Sequence, residues 1–178
     1  MDIIRIFFNI ILLKSKPDEV PFNVNYTILA FVAVCFAGML TTSMNQHITQ
    51  PFAFIFVQTA TLAGLISLFL LAAQKSVRTA QTLLALFGTS TMLQLAIFAI
   101  SVANIYILLL VLGIWSFVVQ TYIIKHALEV GIIQAFFISL GVQMSMYFML
   151  MMVFPNEMQA IFLEAQQAQG QISNSVVK

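Results

Sequence analysis

Residues 105–129, IYILLLVLGIWSFVVQTYIIKHALE, decide how this chain folds. No charge occurs from Ile105 to Ile124. A helix of that stretch, rising about 1.5 Å per residue, crosses a hydrocarbon core of roughly 30 Å. Lys125, His126 and Glu129 then arrive together and read as a short charged turn. No charge occurs upstream from Thr82 onward either. As one helix, 82–124 would be about 64 Å long, twice the core, so the chain must reverse. Ser101 to Asn104 is the tight turn available for it.

Composition agrees with a membrane-spanning chain. Hydrophobic residues make up 61% of it and charged residues 7%, against about a quarter charged in soluble domains. A soluble fold of 178 residues would lack the charge to cover its surface. The net charge of +1 offers no basic face for nucleic acid. Cys35 is the only cysteine, so no intramolecular disulfide forms.

The sequence predicts an all-α polytopic membrane protein, with five transmembrane helices in a compact bundle and an N-terminal interfacial amphipathic helix. Within residues 1–16, Asp2, Arg5 and Asn9 recur at helical spacing on one side, with Ile, Phe and Leu filling the rest. Flanking Lys14 and Lys16 suit a helix lying among headgroups. Residues 17–25, with Pro17 and Pro21, are a linker. The spans cover about 26–43, 52–73, 82–100, 105–124 and 130–154, and 155–178 is a polar tail containing Gln166, Gln167, Gln169 and Gln171. With the N-terminus cytoplasmic, Arg5, Lys14, Lys16, Lys75, Arg78 and Lys125 all fall on the cytoplasmic side, and Lys178 alone lies opposite. That is the positive-inside pattern.

Enzyme signatures are missing: no His–carboxylate set, no phosphate-binding glycine loop and no paired intramembrane acids. No cofactor is expected, and the chain is not expected to be an enzyme. Met39, Met44, His47 and a cluster from Met144 to Met152 have the donor types of a copper(I) site, but their spacing gathers no tight ligand set. Methionine as an adaptable packing residue is the simpler reading. Gln58, Gln94, Gln120, Gln134 and Gln143 place amides in or near four spans; lipid cannot satisfy them, so most should face other helices. Small residues four apart accompany them at Ala33/Ala37, Ala60/Gly64 and Gly141/Ser145.

Two candidate sites stand out. Trp115, Tyr122 and His126 share a face of the fourth span, with Gln120 on a neighbouring one. They read either as a packing stripe, whose indole N–H finds a partner on another helix, or as the lining of a small-solute or ion conduit. Lys125, His126 and Glu129 read as a cytoplasmic recognition point, or as charges that anchor two helix ends.

The approach to the first span, LLKSKPDEVPFN (12–23), and the passage IWSFVVQTYIIKHALE (114–129) sit in a layout of five closely spaced spans with short loops. In this the chain resembles the Yip-type (Ypt/Rab-interacting-protein-like) membrane proteins and their small bacterial relatives. The Asp-Leu-x-Gly-Pro sequence of the eukaryotic members does not occur here. The resemblance implies a noncatalytic scaffold or adaptor in a bacterial inner membrane. Its partners would be the lipid bilayer and other membrane proteins or further copies of itself, with no nucleic acid.

Overall fold

The computed structural model describes residues 3–103 and 105–163. Asp2, Asn104, the glutamines from Gln166 onward and Lys178 lie outside the described residues. The order is α1 (Ile3–Ile11), α2 (Val24–Thr42), α3 (Pro51–Ala72), α4 (Thr79–Val102), α5 (Tyr106–Leu128) and α6 (Ile132–Val153), and residues 155–163 are again helical. No strand occurs among the described residues. Five of the helices are long and apolar enough to cross a membrane.

Local chemistry explains where these helices begin and end. The Asn23 side chain accepts the amides of Asn25 and Tyr26 (2.9 and 3.3 Å) and caps α2. Pro51 occupies the first turn of α3, where its missing N–H costs no hydrogen bond. The reversal falls between Val102 and Tyr106, where the charge-free run requires it. Helix α5 runs four residues beyond Ile124, so Lys125 and His126 form its last turn and are not part of a loop. Cations suit the negative end of a helix, and the helix continues through them. It stops at Glu129, which takes a left-handed conformation (φ 55°).

Each of the five long helices has its two main neighbours in the cyclic order α2, α3, α6, α5, α4, and α3 also touches α4 and α5 across the ring. α4 is the most enclosed and also supports α1. Its closest partner is α2, which runs parallel to it. Thr27, Ala30, Val34, Ala37 and Thr41 alternate spacings of three and four along α2, the repeat of a left-handed helix pair. Small side chains let the backbones approach. Thr27 Oγ1 donates to the Ala80 carbonyl (3.1 Å) and Thr41 Oγ1 to that of Gln94 (3.3 Å), one bond towards each end of the contact.

α1 packs one face on the bundle. Ile6, Phe7 and Ile10 are buried against the bundle. The Phe7 ring fills the space above Gly88, where an added Cβ would lie 2.3 Å from Phe7 Cζ. Gly88 is nine residues on from Thr79, about 14 Å along α4 and close to its midpoint. The Trp115 indole N–H donates to the Ile11 carbonyl (3.1 Å), one of the acceptors left open at the end of α1. Arg5 and Asn9 keep a separate strip, while Ile4, Phe8 and Leu12 are exposed on a third side. The periodicity that reads as interfacial therefore serves a helix docked on the bundle.

Candidate functional site

Four of the five intramembrane glutamines converge. Gln58 of α3, Gln94 of α4, Gln120 of α5 and Gln143 of α6 line one cavity of about 100 Å³ inside the ring. Thr59, Ser90 and Ser116 complete its polar wall; Val34, Ile55, Leu62, Phe87 and Met146 supply the apolar one. No lining residue is charged. A smaller void of about 20 Å³ shares Leu62, Ser90, Ser116 and Gln120 with it. Together they have room for several water molecules, since about 10–15 Å³ of such space holds one.

The hydrogen bonding of the wall is incomplete. Gln143 Nε2 donates to Gln120 Oε1 (3.0 Å), whereas the buried Gln120 Nε2 has no protein partner. An unpaired buried amide costs on the order of 1–3 kcal/mol, so a cavity occupant that accepts from it is strongly favoured. Gln134 behaves differently, since its Oε1 accepts the Gly131 amide (3.2 Å) at the start of α6.

Both ends of the cavity are closed over part of their width. Towards Glu129, Ile66, Leu70, Ile124 and Leu128 are buried around a gap of only about 10 Å³, at the lower limit for one water. Beyond that layer, Glu129 pairs with Lys75 and with Arg78 (2.7 Å to Arg78), and Lys75 Nζ also donates to the Leu128 carbonyl (3.1 Å). The hydrogen bond from Lys75, then the ion pair with Arg78 and the charges of both, hold the Glu129 carboxyl below its ordinary pKa. Towards the opposite end, Cys35, Phe54, Ile55, Leu150 and Phe154 form a second apolar cluster, with the Phe54 and Phe154 rings 5.4 Å apart. Thr49 Oγ1 donates to Glu157 Oε1 (2.8 Å) outside it. α5 contributes nothing to that cluster: Ile107, Leu110, Val111 and Ile114 are all exposed.

Of the candidate site residues Trp115, Gln120, Tyr122, Lys125, His126 and Glu129, only Gln120 reaches the cavity. Trp115 turns to α1. Tyr122 lines an apolar groove with Leu13, Phe117, Ile132 and Phe136 on the outside of α5 and α6. The ring of His126 lies 4.2 Å from that of Tyr122, and its Nδ1 is 2.9 Å from the Tyr122 carbonyl. Lys125 shares the last turn of α5 with His126, while Glu129 is held by Lys75 and Arg78. Ser90 and Ser116 carried a readable signal that hydropathy hides: each stands four residues before a glutamine, Ser90–Gln94 and Ser116–Gln120, and so on the same helix face. Met146 is buried, whereas Met144, Met149, Met151 and Met152 are exposed, so the methionines do not gather. Among the described residues no group of three His, Cys, Asp or Glu side chains is placed to hold a metal ion.

The fold defines the class: a helical, multi-pass membrane protein with an uncharged polar cavity in its core. Comparison with protein-family models, curated proteins and solved structures finds no match to this chain.

Proposed function

We propose that the protein is a noncatalytic membrane protein that admits a small uncharged polar solute to the centre of its bundle, as a conduit subunit. The supporting observation is the convergence of Gln58, Gln94, Gln120 and Gln143 on one cavity. Amides inside a membrane are unfavourable unless they are partnered, and here four helices aim them at an open space. An ion would find no counter-charge on that wall, which favours a neutral solute. Passage requires the Glu129 end to open, and Lys75, Arg78 and Glu129 are the groups that would part. Arg5, Lys14, Lys16, Lys75, Arg78 and Lys125 support a cytoplasmic Glu129 end, and the Yip-type resemblance supports a bacterial inner membrane. The test is swelling of reconstituted vesicles in a panel of neutral solutes. Faster swelling than in protein-free vesicles is expected for the smallest of them; no acceleration with any solute would refute the reading.

A scaffold or adaptor role is the second reading, in line with the Yip-type resemblance. Gly64 and Gly141 face outward with nothing within 4 Å of a Cβ added at either. Such notches suit the approach of another transmembrane helix. Crosslinking through a cysteine at Gly141 in native membranes should then yield one reproducible adduct, and a smear of adducts that matches random lipid-facing positions counts against it.

A further inference from the structure

Beyond its polarity, the cavity wall has a pattern that selects among neutral solutes. The Gln120 and Gln143 carboxamides share one N–H···O bond (3.0 Å), which leaves Gln120 Nε2 as an unpartnered donor. An amide pair joined by a single bond presents, on its open edge, one N–H donor and one carbonyl acceptor. Exchanging the O and N atoms of both side chains reverses the bond and leaves the same two kinds of group open. A molecule that meets such an edge carries an acceptor and a donor on adjacent positions, as the carbonyl and N–H of another amide do. Ser90, Ser116 and the Gln58 and Gln94 amides line the same space and can serve the remaining N–H groups. The cavity, at about 100 Å³, suits a small guest. The absence of charge on the wall removes ammonium and carboxylate forms.

Resting on the solute reading above, we propose that the cavity is a binding site for a small neutral amide of the urea and acetamide class, held edge to edge by Gln120 and Gln143. A polyol of equal size offers hydroxyls that can occupy the same space. It has no fixed carbonyl, and its hydroxyls must each be turned against a preset donor or acceptor.

Two measurements on the intact chain test this. In detergent, magnetisation transferred from the protein to the acetamide methyl reports binding; in vesicles, light scattering reports urea and glycerol equilibration. The expected result is saturation transfer to acetamide that urea competes away, and urea equilibrating several-fold faster than in protein-free vesicles while glycerol keeps the protein-free rate. Gln120→Met, which retains the side-chain length and removes both polar groups, should lower the urea rate about tenfold, the value of a lost buried hydrogen bond or two. Because the comparison of urea with glycerol uses the unaltered protein, it stands even if Gln120→Met fails to accumulate. Glycerol moving as fast as urea overturns the amide assignment and leaves the solute reading in place. No solute moving and no transfer to acetamide overturns both.

Discussion

Gly88→Ala is the smallest change that challenges the docking of α1. The added methyl would lie 2.3, 2.4 and 2.6 Å from three carbons of the Phe7 ring, well inside van der Waals contact. The backbone of α4 cannot move away, because α4 is held by α2 along its length and by α5. Phe7 must therefore leave, and overpacking of this kind costs about 1–3 kcal/mol. Once α1 shifts, the Trp115–Ile11 bond (3.1 Å) breaks as well, adding on the order of 1 kcal/mol. Phe7→Ala alone removes a buried ring and is destabilising for the opposite reason, a void. In the double variant the alanine methyl of position 88 enters the space the ring has left, so the two losses do not add. Thermal unfolding in mild detergent should give a double variant at least about 1 kcal/mol more stable than the sum of the single changes. Labelling of a cysteine at Asn9 should rise in Gly88→Ala and report the release of α1 directly. Additive losses, with Asn9 labelling unchanged, would show that Phe7 does not occupy the Gly88 notch.

Three shorter predictions concern the rest of the bundle. The lowered pKa of Glu129 makes its contribution to stability complete above the ordinary glutamate value of about 4.3; it is lost as pH falls through the lower value of the folded state. Glu129→Gln should remove that acid-dependent loss of thermal stability, and an unchanged pH profile would mean that Lys75 and Arg78 do not hold the carboxylate. Thr41→Val keeps the shape of the side chain but deletes its bond to the Gln94 carbonyl, so denaturation should register a loss of about 0.6 kcal/mol, whereas Thr41→Ser should retain most of the stability. Gln74 holds a left-handed conformation (φ 57°) at the end of α3, and Gln74→Gly should leave stability equal or raise it by up to about 1 kcal/mol in the same assay.

The sequence by itself determined the number and placement of the spanning helices, because span length and the spacing of charges are properties of consecutive residues. The charge-free stretch from Thr82 to Ile124 is too long for one crossing, and it reverses between Val102 and Tyr106, close to the expected turn of Ser101 to Asn104. It also marked the glutamines as groups in need of partners. What it left open was which way each helix faces. The five long helices are apolar around nearly their whole circumference, as lipid requires on one side and packing on the other, so hydropathy carries no period that points to the interior. Only the tertiary structure decided that α4, and not α5, is the central element, that α2 runs parallel to it through Thr27 and Thr41, and that four glutamines meet in one space. Glu129 shows the same limit at the membrane surface. Lys125 stands only four residues before it, yet Glu129 pairs with Lys75 and Arg78, more than fifty residues distant, because α3, α4, α5 and α6 bring their connecting turns together at that end. α1 carries both lessons at once. Its polar strip was legible as periodicity, but its position depended on a glycine in α4 and an indole in α5, and a cavity for Phe7 exists only after those helices have packed.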